Sequence, residues 1–323
     1  MSERLALADI EAARGTIADH VLRTPAVMSP GLGALLGGPV ALKLELLQRS
    51  GCFKPRGIVN RIRSLDADER ARGIVTVSGG NHGIAMAEIA QAMGLKARVV
   101  MPEAAPERSK ARIRAKGAEL VLVPDIGTAF ATAEAARAEG LTYVHAFDDP
   151  LIMAGHGTLG LEFIEDVPEL TDVIVSIGGG ALISGVATAV KGMKPEVRIW
   201  GVETEGADAM SRALAADAPV EMKVTSIATT LGAPYVTART LDHVKALVEE
   251  VLVIPDREAV AALLTLAEEA KLWAEPAAAC TLAAARTVRA RVGADAVIGL
   301  VICGGNISVD LVRDWIVRFD LGS

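Results

Sequence analysis

The chain has 323 residues, enough for one large α/β unit or two modest domains. Its 33 basic and 40 acidic residues leave a net charge of −7 with no basic run, which argues against a nucleic-acid partner. Hydrophobic residues make up 51% of it, yet charges interrupt them throughout, and no apolar stretch approaches the ~20 residues that span a bilayer. The three cysteines are odd in number and widely spaced, so they form neither a disulfide framework nor a zinc pattern. Met1-Ser2-Glu3-Arg4 leads into an acidic helical segment rather than a signal peptide, and the expected compartment is the reducing cytoplasm.

In chain order, the pattern predicts a short strand over Val40 to Leu44 and a helix from near Ile58. Between them lies Ser50-Gly51-Cys52-Phe53-Lys54-Pro55-Arg56-Gly57. A lysine in such a turn is either a solvated charge or an amine that condenses with an aldehyde cofactor. The next strand, Ile74 to Val77, runs into Ser78-Gly79-Gly80-Asn81-His82-Gly83 and then a helical segment, Ile84 to Ala90. Such a turn aims free N–H groups and the positive helix end at an anion, a carboxylate by preference. Strands follow at Arg98 to Met101 and Leu120 to Val123. The strand Val173 to Ile177 leads into Gly178-Gly179-Gly180-Ala181-Leu182 and a helix through Val186 to Val190. Three glycines let backbone N–H groups converge on a phosphate. The loop lacks both the Gly-Lys-Ser/Thr ending of a P-loop and the Rossmann spacing, so the phosphate belongs to something other than ATP or NAD. Further strands are predicted at Arg198 to Val202, Val251 to Ile254 and Val297 to Ile302, with a helix from Asp256 to Lys271 that Asp256 can cap. Strands alternating with helices argue for parallel sheet covered by helices.

The lysine turn, the Ser-x-Gly-Asn-His loop and the triple-glycine loop, in this order, resemble the fold-type II pyridoxal-phosphate enzymes. Within them the chain is most similar to the serine/threonine dehydratase (threonine ammonia-lyase) and serine racemase branch. Phe147-Asp148-Asp149-Pro150, Ala154-Gly155-His156-Gly157-Thr158, Glu275-Pro276 and Cys303-Gly304-Gly305-Asn306 extend the likeness from about Pro25 onward. It implies two parallel-sheet α/β domains: a small one at 72–149, inserted in a large cofactor-binding one made of 1–71 and 150–323. The expected activity is loss of water from an L-β-hydroxy-α-amino acid, giving a 2-oxo acid and ammonia. Threonine and serine are the default substrates, a bulkier one such as phenylserine is the variant, and amino-acid racemisation is the alternative. Dimers or tetramers are usual in the family.

Residue by residue, the resemblance makes Lys54 the anchor of pyridoxal phosphate and the base for the α-proton. Gly178, Gly179, Gly180, Ala181 and Leu182 would hold the phosphate, Phe53 would pack on the ring, and Asn81 would meet the ring hydroxyl. Cys303 stands where relatives place a serine beside the ring nitrogen, while Cys52 reads as packing only. Ser78, Gly79, Gly80, Asn81 and His82 would receive the substrate carboxylate, with a structural role for His82 equally open. Gly79 replaces the serine that protonates the opposite face in serine racemases, which disfavours racemisation. His156 replaces a usual glutamine and is expected near the substrate. Glu203 and the Ala207 carbonyl match part of a cation site, but Ala209 stands where its aspartate belongs. Glu203 is therefore expected in a solvated acidic loop, and no metal is assigned.

Overall fold

The structure is a computed structural model that describes residues 4–322. Ten strands form two sheets: β1 Ala26–Met28, β2 Val40–Lys43, β3 Ile74–Val77, β4 Ala97–Pro102, β5 Glu119–Val123, β6 Thr142–Tyr143, β7 Asp172–Ser176, β8 Arg198–Thr204, β9 Glu250–Ile254 and β10 Ile298–Val301. The first sheet has the order β1-β2-β10-β7-β8-β9 and is parallel except for β1, which runs against β2. The second has the order β5-β4-β3-β6 and is parallel throughout. All four of its strands lie between residues 74 and 143.

Central strands such as β7 and β10 are buried along their whole length. That is why they read as unbroken apolar runs rather than alternating ones. The predicted strands are present within one or two residues at each end. β1 and β6 were not foreseen, because three and two residues carry no periodicity. Asp256 does not cap its helix. Pro255 holds the N-cap, and the Asp256 carboxylate instead accepts from Ser226 Oγ at 2.5 Å and Ile227 N at 3.0 Å, pinning the preceding loop.

Two devices fix the lysine turn. The helix Pro55–Arg63 lies against the helix Pro150–Asp166 at glycine distance: a Cβ on Gly155 would fall 2.3 Å from the Arg56 carbonyl. Beneath that contact Arg56 is fully buried, its Nε 2.8 Å from Glu45 and its Nη1 2.7 Å from Glu162. Lys43, also fully buried, donates to the other Glu162 oxygen at 2.6 Å and to the Thr24 carbonyl at 2.6 Å. Every charge in this cluster is matched, as buried charges must be.

Candidate active site

The carboxyl ends of β3, β7 and β10 point into one cleft of about 660 Å³ between the two sheets, the usual ligand position in open α/β folds. β3 ends in Ser78-Gly79-Gly80, and the helix Asn81–Ala92 begins at once. β7 ends in Ile177 and the three glycines, followed by the helix Ala181–Met193. β10 delivers Cys303. Lys54, immediately ahead of its helix, faces both turns.

Lys54 Nζ donates to the Ala146 carbonyl at 3.0 Å and lies 4.9 Å from the centre of the Phe53 ring. No carboxylate pairs with it among the described residues. Desolvation therefore brings its amine down to about 8, within reach of the neutral, nucleophilic form. Phe53 is nearly buried and presents its ring to the cleft.

Among the described residues no backbone acceptor takes the N–H of Gly178, Gly179 or Gly180. These groups, with the first turn of the thirteen-residue helix behind them, face the cleft as a ready anion seat. Gly180 sits at φ +95°, and a Cβ on Gly179 would collide with the Phe147 ring at 2.2 Å. Glycine is therefore required at both positions. Phosphate seat, unpaired amine, aromatic face and neutral thiol together fit pyridoxal phosphate.

Cys303 Sγ is 3.4 Å from Ser176 Oγ and 3.8 Å from the Ala277 carbonyl, and burial pushes its thiol pKa up. It is a neutral, weakly donating group on the cleft wall. Cys52 is buried beside Ser50, 3.6 Å away, and is not part of the cleft wall. Asn81 Nδ2 donates to Glu275 at 2.7 Å, and its Oδ1 accepts from Asn306 at 2.7 Å. The second N–H of the Asn81 amide remains for a ligand. Glu275 had been noted only as part of a motif. It lines the cleft, and burial raises its carboxyl to about 7. A buried acid that accepts from a side-chain amide 194 residues away has no sequence signature of its own.

Ser78, Gly79, Gly80, Asn81 and His82 all line the cleft. His82 is buried, with Nε2 3.4 Å from the Val144 carbonyl and Nδ1 unpartnered, and desolvation holds it well below the ordinary histidine range. His156 is a correction. It is fully buried behind Phe53, ring centroids 4.6 Å apart, and is not part of the cleft wall. It fills the space over Gly57, whose Cβ would meet its ring at 2.6 Å, so it supports Phe53 rather than meeting a substrate. Glu203 is a second correction. It is fully buried on β8, where its carboxylate accepts from Met210 N and Ser211 N, both at 2.8 Å, and from Ser211 Oγ at 2.6 Å. It caps the helix Ala209–Ala216 instead of lying in a solvated loop, while Ala207 closes a tight turn onto the Thr204 carbonyl.

Residues 17–304 match the family described as pyridoxal-phosphate dependent enzyme. The chain belongs to that family. It is 38% identical over 312 residues to the L-threonine ammonia-lyase of Thermotoga maritima, covering 95% of this chain and 77% of that one. It is also 38% identical to the phenylserine dehydratase of Ralstonia pickettii over 303 residues, 93% of each chain. Maize serine racemase superposes with a TM-score of 0.91 at 31% identity, covering 98% of both chains. With the two parallel sheets, these likenesses make the architecture fold-type II.

Proposed function

We propose that this member of the family is a lyase that removes water from L-β-hydroxy-α-amino acids and releases a 2-oxo acid and ammonia. One observation carries the reading: Lys54 lies in the cleft between a carboxylate-type turn and a phosphate-type turn, without an acidic partner. The similarity to the threonine ammonia-lyase and the phenylserine dehydratase supports the same chemistry.

The glycine turn Gly178 to Gly180, with Ala181 and Leu182, would hold the cofactor phosphate, and Phe53 would press on one face of its ring. Bound there, pyridoxal phosphate supplies a sink for the electron pair freed when the α-C–H bond breaks. The N–H groups and hydroxyl of Ser78 to His82 orient the substrate carboxylate. Lys54, with an amine near 8, accepts the α-proton at Nζ. The β-hydroxyl takes up one proton, equal in number to the one that Lys54 receives from the α-carbon, and leaves as water; hydrolysis of the resulting enamine then consumes one water to give the 2-oxo acid and ammonia. Neutral Cys303 puts no negative charge beside the ring.

The serine racemase likeness favours a second reading, and Gly79 argues against it. A Cβ there would meet only the Ala105 methyl at 3.7 Å, so the missing serine reflects no lack of room. L-Serine should yield pyruvate and ammonia without D-serine, measured by chiral chromatography. Steady formation of D-serine would overturn the assignment, and a gain of D-serine in Gly79→Ser would support it. The protein is also proposed to be cytoplasmic and a homo-oligomer. Among the described residues no helix is long and apolar enough to cross a membrane.

A further inference from the structure

We propose that the part of the cleft left over by cofactor and carboxylate is an aryl-binding subsite, so that the preferred substrate carries a ring on its β-carbon. This rests on the lyase reading above. The chain is poor in aromatic residues, with five Phe, two Tyr and three Trp. Both tyrosines and three of the phenylalanines gather at this cleft. Phe53, Phe130, Tyr143 and Phe147 line it, and Tyr235 packs on Phe130 and Phe147, ring centroids 6.5 and 5.7 Å apart. His145 continues the strip edge-on to Tyr143 at 5.7 Å and to Phe147 at 4.6 Å. The strip flanks the reacting amine, because Lys54 donates to Ala146, the residue between His145 and Phe147.

The directions available to a substrate narrow the choice. A carboxylate on Ser78 to His82 and an α-carbon at Lys54 leave the β-substituent the rest of the cleft lining, which includes Pro106, Ile126 and Phe130 from one stretch of the chain and Met222, Val224 and Pro234 from another. Apart from Lys54 and Glu275, the only formally charged side chain among the described residues lining the cleft is Lys223, which is exposed. Ile126 is left 42% exposed, as a large apolar side chain facing a ligand site is. A methyl or hydrogen on the β-carbon would leave this surface wet, whereas an aryl ring would cover it and meet aromatic edges in the T-shaped geometry that such rings favour. The lining comes from two stretches of the chain, Phe130 from the helix Ile126–Ala138 and Pro234 from the loop after Leu231. A bulky substituent would therefore bridge them.

Two ratios measured on the holoenzyme test this. The first is kcat/KM for L-threo-phenylserine over L-threonine. The second is the affinity of L-phenylalanine over L-alanine by calorimetry; neither ligand has a β-hydroxyl to lose. Hydrophobic sites separate substrates that differ by one methylene by about 10- to 200-fold, so both ratios should exceed tenfold. Both should fall at least fivefold in Phe130→Ala and in Ile126→Ser, the latter at an exposed position where folding is not at stake. A phenylalanine-to-alanine ratio near one, or threonine used as well as phenylserine, overturns the subsite and leaves the lyase standing. If no β-hydroxy amino acid is turned over while the affinity ratio is high and falls in both variants, the subsite stands and the lyase reading fails.

Discussion

Two buried cationic regions lie within a dozen residues of each other and are built on opposite plans. Lys43 and Arg56 are fully enclosed, and their charges meet Glu45 and Glu162 at 2.6 to 2.8 Å. Lys54 is only partly buried, and its partner is one neutral carbonyl. Pairing makes the first region a rigid anchor, in which Glu162 partly offsets the desolvation that lowers the Lys43 amine, and the two carboxylates raise the Arg56 guanidinium. Lack of pairing makes the second a lysine with a destabilised charge, which is what an amine destined for covalent chemistry requires. The anchor also fixes the position of Lys54, because Arg56 ties down the helix that begins right after it. Burial alone thus does not mark a functional lysine; the absence of a carboxylate does.

The contrast can be broken most directly at Lys54. Lys54→Ala should cut elimination by about 10²- to 10⁴-fold, the range for loss of a positioned base, without lowering the denaturation midpoint. Borohydride reduction of the yellow holoenzyme should fix pyridoxal phosphate on the Lys54 peptide. A label on Lys43 instead would reverse the assignment of the two lysines.

Arg56→Met attacks the anchor. Breaking a buried pair strands the opposite charge and costs about 3–5 kcal/mol, so urea unfolding should shift by that amount. An unchanged midpoint would mean that the ion cluster is not what holds the turn.

The smallest effect is a pH dependence, read on cofactor-free protein. Lys54 titrates near 8 when folded and at 10.5 when unfolded. At this site the unfolded chain binds more protons between those values, so Lys54 contributes a rise in stability with pH over that window, opposed above 9 by Cys52, whose thiol burial pushes up to about 12. Below pH 8 both states are charged and the penalty is constant. Glu275 shifts the other way, from 4.5 to about 7. Its folded form holds the extra proton, so stability should fall as pH rises from 4.5 to 7. Lys54→Ala should change the upper limb only, and Glu275→Gln should reduce the lower limb without abolishing it, because burial raises Glu203 from 4.5 to about 7 as well. Titration of each by chemical denaturation would show whether the limbs are rightly assigned.

Much of the site was legible before any coordinates, for a physical reason. Glycine turns between a strand and a helix are local constraints, written in consecutive residues such as Gly178 to Gly180 and Ser78 to Gly80. His156 and Glu203 were misplaced because a residue type does not say which way its side chain points. Both are fully buried: His156 braces Phe53 and Glu203 caps a helix. The strand β6 escaped notice because its two residues depend on pairing with β3 for their conformation.

The sequence by itself determined the alternation of strand and helix, the two anion-seating turns and the candidate amine, because each depends on the conformational preferences of adjacent residues. Only the tertiary structure decided which charges meet. Glu162 reaches both Arg56 and Lys43 across more than a hundred residues, and Asn81 reaches Glu275 across 194. It also decided that Phe53, Phe130, Tyr143 and Phe147 share one cleft, with Tyr235 packed on Phe130 and Phe147. Long-range burial and charge pairing depend on the packing of whole elements, and no window of sequence contains that information.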